Sequence, residues 1–75
     1  MAQPTYSLRA LVLRRTKLGE SDLILTLLSE DGSQKRAVAK GARRPKSSFA
    51  ARTEPFCVID ALCAKGRSLD ILKEA

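Results

Sequence analysis

The sequence predicts an all-β chain that closes into a small barrel of five short strands. Three observations predict it. Apolar residues alternate with other side chains along the first stretch, an Asp-Gly pair separates two short runs, and no segment carries a strong helical period. The 75 residues make one domain at most. A domain of this size buries only about 60% of its unfolded surface, so its margin of stability is thin.

The first predicted strand runs from Tyr6 to Thr16. Tyr6, Leu8, Ala10 and Val12 form one apolar face, while the other face starts with Ser7 and Arg9 and turns apolar at Leu11 and Leu13. A face that switches midway suits a long, curved strand serving two parts of a barrel. Leu18 to Asp22 is a turn. Leu23 to Leu28 is almost wholly apolar and predicts a second strand covered on both sides. Asp31-Gly32 then predicts a hairpin. Gln34 to Lys40 returns as the third strand, with Ala37, Val38 and Ala39 at its centre. Gly41 to Ser48 is a loop, where Gly41 allows a sharp change of direction and Pro45 forbids a ladder bond. Phe56 to Ala64 is the fourth strand, Lys65 to Ser68 a turn, and Leu69 to Lys73 the fifth strand.

Five strands with a long basic connection between the third and fourth point to a five-stranded OB-fold, a Greek-key barrel; an SH3-like barrel is the rival on pattern alone. Residues 1–75 are expected to form this single domain. The doubly apolar second strand and the apolar residues Ile71 and Leu72 near the end suggest an N-terminal piece of a longer protein, with exposed apolar surface that promotes self-association.

Several functions are excluded. There is no histidine, and the two cysteines cannot supply a zinc site, so no metal or other cofactor is expected. A Cys-His or Ser-His-Asp catalytic set is likewise ruled out, and the chain is expected not to be an enzyme. Cys57 and Cys63 share strand parity with Ile59 and Ala61 and read as small buried groups. Glu20 and Asp22 lie on a turn without a third ligand and read as turn and cap residues. No apolar run is long enough to span a membrane, and Met1 to Pro4 carry no leader pattern, so a cytoplasmic location is expected.

Charge is the most directional signal. The formal net charge is +6, from 14 basic and 8 acidic residues. The stretch from Lys35 to Arg52 holds Lys35, Arg36, Lys40, Arg43, Arg44, Lys46 and Arg52 and no acid, whereas the rest of the chain is slightly acidic. Concentrated charge of this kind points to a polyanion, with nucleic acid foremost. Lysine and arginine neutralise phosphates and release counterions without any sequence match, and arginine also forks onto phosphate or stacks on a base. Phe49 sits within the stretch, either as a base-stacking platform or, preferably, as a plug anchoring the loop to the barrel. Tyr6 and Phe56 fall on predicted strands and are expected in the core. Arg9, Arg14, Arg15 and Lys17 form a second basic group that either extends the path or is a solvated face.

Three segments then carry a resemblance. They are Gly19-Glu20-Ser21-Asp22-Leu23-Ile24-Leu25-Thr26-Leu27; Ala39-Lys40-Gly41-Ala42-Arg43-Arg44-Pro45-Lys46-Ser47; and Glu54-Pro55-Phe56 with Lys65-Gly66-Arg67-Ser68-Leu69-Asp70. In this order they resemble the N-terminal domain of the bacterial recombination mediator RecO, over roughly residues 6 to 75, the middle segment being the most specific. The resemblance implies an OB-fold, binding of single- and double-stranded DNA, strand annealing, help in loading recombinase onto protein-coated single strands, and a nucleoid-associated place in a bacterial cytoplasm. It also implies RecR and single-stranded-DNA-binding protein as partners. Two rival readings remain on composition alone: an RNA-binding barrel of the ribosome or translation machinery, and an interaction module whose basic loop binds an acidic peptide.

Overall fold

The computed structural model describes residues 4–47, 49 and 52–75; the first three residues and Ser48 of the loop lie outside the described residues. Strands β1 (Thr5–Leu18), β2 (Asp22–Ser29), β3 (Gln34–Ala39), β4 (Val58–Ala64) and β5 (Asp70–Glu74) close into a barrel in the order β1-β2-β3-β5-β4. Every pairing is antiparallel except β3 with β5, which run parallel through Ala37↔Asp70 and Val38↔Ile71. This is the OB-fold expected from the strand count and the long third connection.

β1 has to bend because it serves two neighbours. Its first half pairs with β4 from Thr5↔Ala64 to Leu11↔Val58, and its second half with β2 from Ala10↔Ser29 to Leu18↔Asp22. The register of the second pairing slips between Val12 and Arg14, a bulge at Leu13. A bulge inserts one residue, sharpens the twist and reverses the inward–outward alternation beyond it. Val12 therefore pairs with inward Leu27, yet Arg14, two residues on, pairs with outward Thr26. Without the bulge Arg14 would point into the core.

The interior is narrow, which is why small residues line it. Ala10, Ala37, Ala39, Ala61 and Cys63 alternate with Val12, Leu25, Leu27 and Leu72, all buried. Full burial of a leucine side chain contributes about 2 kcal/mol, so Leu25 and Leu27 are the residues whose truncation to alanine costs most, roughly 3 kcal/mol each. Burial pushes the Cys63 thiol up, so it stays protonated and inert. Cys57 is half-buried against the same cluster.

The hairpin between β2 and β3 forms at Asp31-Gly32 as expected. Gly32 takes a φ of 88°, and the Asp31 carboxylate accepts from the Ser33 amide at 2.9 Å and the Ser33 hydroxyl at 2.6 Å.

Two expectations are corrected. β2 is buried on one face only: Leu23, Leu25 and Leu27 are inside, whereas Ile24, Thr26 and Leu28 face outward and are half-covered. An eight-residue strand in a closed barrel fills the barrel interior with one face only. Phe56 is not in the core. It precedes β4, in a turn, with 76% of its surface exposed and a φ of 70°.

Candidate nucleic-acid interface

The basic loop leaves the barrel at the end of β3 and is stitched to the β1–β2 turn. Gly41, at a φ of 69°, makes the turn that alanine or any larger residue would resist. Its amide donates to the Asp22 carboxylate at 2.7 Å. The Arg43 amide donates to the Ser21 carbonyl at 2.9 Å, and the Arg43 guanidinium donates to the carbonyls of Gly19 and Glu20, at 3.3 and 2.6 Å. Ala42 is buried beneath the loop. Asp22 and Arg43 are thus fixtures that set where the loop begins.

Beyond that anchor the chain winds in short turns, with the Arg44 amide on the Gly41 carbonyl and the Ser47 amide on the Arg44 carbonyl, both at 3.0 Å. Phe49 packs partly buried against the core cluster. Its carbonyl accepts from the Thr53 amide at 3.0 Å and the Thr53 hydroxyl at 2.9 Å, and Thr53 is completely buried. The plug reading of Phe49 fits this geometry: the side chain packs against the core cluster and its carbonyl is held by Thr53.

Around Phe49 the cations gather. Lys40, Gly41, Arg44, Lys46, Ser47 and Phe49 line a groove of about 360 Å³. Among the described residues, the side chains of Lys40, Arg44 and Lys46 make no ion pair or hydrogen bond. On the other side of Phe49, Arg52 and Lys73 line a second hollow with Glu74 and Ala75, and the Arg52 guanidinium donates to the Ala75 carbonyl. Lys73 is a cation the sequence pattern does not assign to this end. Parallel pairing between β3 and β5 brings it there, and no local signal marks a parallel pair so distant in sequence.

The seven cations of the basic stretch separate in space. Lys35 opens β3 at the opposite mouth of the barrel, its ammonium 5.8 Å from the centre of the Tyr6 ring. Arg36 lies on the outer face of β3, paired with Thr26, which in turn pairs with Arg14. Direct partners project to the same side of a sheet, so Arg14, Thr26 and Arg36 form one row across β1, β2 and β3. The other cations of β1 divide. Arg9 is bound to Asp60 at 2.9 Å, which holds that carboxyl below its usual range, and Arg15 is bound to Glu54 at 3.0 Å. Arg14 and Arg36 make no ion pair among the described residues. Another hollow, of about 590 Å³, lies elsewhere, beside Arg9, Glu30, Asp60 and Glu74. Three acids against one cation make it a poor seat for a polyanion.

Comparison with known proteins gives the family. Over residues 1–75 the chain matches the family described as Recombination protein O N terminal. It is 54% identical over 72 residues to the DNA repair protein RecO of Bifidobacterium adolescentis, covering 96% of this chain and 29% of that protein. It is 53% identical over 70 residues to the DNA repair proteins RecO of Bifidobacterium longum and of Bifidobacterium animalis subsp. lactis, covering 93% of this chain and 29% of each. The chain therefore spans under a third of the length of these curated relatives.

Proposed function

The chain belongs to the family of the recombination protein O N-terminal domain, and from that premise we propose that it binds single- and double-stranded DNA without sequence preference in recombinational repair. The observation that carries the reading is the groove in which Lys40, Arg44 and Lys46 meet around Phe49 with no acid among its lining. Charge left unneutralised on this loop is suited to a phosphate backbone, and the groove offers few groups able to read base edges. Screening phosphates while leaving base edges free is what annealing of two complementary strands requires. Strand annealing and recombinase loading, with RecR and single-stranded-DNA-binding protein as partners, are the roles proposed for the domain within the longer protein.

The test compares labelled random-sequence DNA with an acidic peptide of similar charge, each at two salt concentrations. The expected result is tighter binding to DNA, indifferent to its sequence. Affinity for single strands should fall with a log–log slope near −3 if ~4 phosphates are engaged. Equal or tighter binding of the peptide, or a slope near zero, would reject DNA as the ligand.

A further inference from the structure

Phe56 is held where an aromatic residue is normally avoided. Its φ of 70° lies in the left-handed region, uncommon for residues other than glycine, asparagine and aspartate. Its ring is 76% exposed, so burial does not compensate the strain. The backbone is clamped on both sides. The Phe56 amide donates to the Val12 carbonyl at 2.6 Å, the Val12 amide donates to the Cys57 carbonyl at 2.9 Å, and the Cys57 amide donates to the Glu54 carbonyl at 3.2 Å. Glu54 is fixed in turn by Arg15. Strained residues persist where the surroundings over-determine them, and they concentrate at binding sites.

The neighbourhood supplies the ligand chemistry. Val58, 65% exposed, pairs with Leu11, which pairs with Leu28, so an aliphatic strip crosses the outer face of β4, β1 and β2. One step past the Leu13 bulge on the same face runs the Arg14–Thr26–Arg36 row, whose two guanidiniums have no acidic partner among the described residues. The Phe56 backbone is clamped to β1 at Val12, between Leu11 of the strip and Arg14 of the row. An exposed ring joined through its backbone to the strand that carries Arg14 complements a chain that offers flat apolar faces between negative charges. A duplex hides its base faces in the stack; a single strand presents them.

We propose that Phe56 is a stacking platform for a base of single-stranded nucleic acid, and that Arg14 and Arg36 take the adjoining phosphates. The inference rests on the DNA-binding reading of the basic loop and adds to it a second, strand-selective site beside the β1 bulge, on the outer face of the barrel. It assigns the stacking role to Phe56 and leaves Phe49 as the plug.

The chain has no tryptophan, so Phe56→Trp places a single indole at the site. Titration with oligothymidine should quench its fluorescence, while an abasic oligonucleotide of the same length and a duplex should not. Phe56→Ala should lower affinity for oligothymidine at least about 5-fold, the lower end for one base–aromatic stack, and leave affinity for the abasic strand and duplex unchanged. Arg14→Ala with Arg36→Ala should flatten the single-strand salt slope by roughly 1.4. If wild-type protein binds oligothymidine but Phe56→Trp is not quenched and Phe56→Ala binds normally, the stacking site is rejected while DNA binding by the loop stands. Loss of self-association in Phe56→Ala without loss of oligothymidine affinity would assign the ring to a protein contact, and rejects it equally. If wild-type protein binds neither strand form, both readings fall.

Discussion

The Tyr6 hydroxyl donates a hydrogen bond to the Asp70 carboxylate and so ties β1 to β5, two strands separated by β4. The Asp70 carboxylate also accepts from the Gly66 amide at 3.0 Å. Burial and then this bond push the Tyr6 hydroxyl above its ordinary value, while the Tyr6 bond followed by the Gly66 bond holds Asp70 below its own. The barrel mouth opposite the basic loop is closed by this pair.

A pH dependence follows from these directions. Asp70 is depressed in the folded chain, so its contribution is present above its unfolded value, near pH 4, and is lost as pH falls through the lower folded value. Tyr6 is raised, so its contribution is present below about pH 10 and lost as pH rises toward its folded value. Tyr6→Phe should lower stability by about 1 kcal/mol at pH 7, allowing for solvent at a half-exposed site, which shifts Tm by about 6 °C. The gap from wild type should close toward pH 2.5. Thermal melting of both proteins between pH 7 and 2.5 checks this, and a constant gap would mean that the bond to ionised Asp70 is not its source.

Adjacent arginines of the loop should behave differently. Arg43 holds two carbonyls of the β1–β2 turn, whereas the Arg44 and Lys46 side chains hold nothing among the described residues. Arg43→Ala should cost about 1 kcal/mol of stability together with some DNA affinity. The double change Arg44→Ala, Lys46→Ala should stay within about 0.5 kcal/mol of wild type in melting while flattening the single-strand salt slope by roughly 1.4. Melting and anisotropy on the same samples separate the two. Equal loss of affinity and equal melting for both would show that Arg43 is a contact residue like its neighbours.

The strands and the charge were legible because each is written locally. Alternation along Tyr6–Val12 and the Asp31-Gly32 turn need only neighbouring residues, and the basic stretch is a matter of counting. What was not legible depends on contacts between distant segments. The bulge at Leu13 arises where β1 leaves β4 for β2, and it alone turns Arg14 outward to join Arg36. The Val12 clamp strips Phe56 from the fourth strand, which begins two residues later, at Val58. Parallel pairing of β3 with β5 sets Lys73 beside the loop, and the turn carbonyls tie down the Arg43 guanidinium. Residue type marks where the cations are; their division into anchors and unpaired charges is a tertiary property.

Thr53→Val should isolate the pin beneath the loop. Valine keeps the shape of the buried side chain and removes only the hydroxyl bond to the Phe49 carbonyl, which keeps its bond from the Thr53 amide. The expected loss is therefore the ordinary value of about 1 kcal/mol rather than that of an orphaned carbonyl. Amide exchange should quicken through the loop and not in β2. Uniform quickening across the barrel would show that Thr53 supports the whole core.

Phe56→Gly should stabilise the protein while weakening single-strand binding. Left-handed backbone costs a residue with a Cβ roughly 1–2 kcal/mol, and glycine removes that strain. Glycine also gives the unfolded chain more freedom, which takes back roughly 0.5–1 kcal/mol. With 76% of Phe56 exposed, little burial is lost, so the net gain should be about 0.5 kcal/mol, or roughly 3 °C in Tm. Phe56→Ala keeps the strain and should melt close to wild type. Binding separates from stability here: glycine and alanine should lose oligothymidine affinity equally, because both lack the ring. Melting curves for the three proteins, set beside their affinities, test the trade directly. If glycine melts below alanine, the left-handed turn is not strained in the folded chain, and the exposed ring must owe its position to something other than binding.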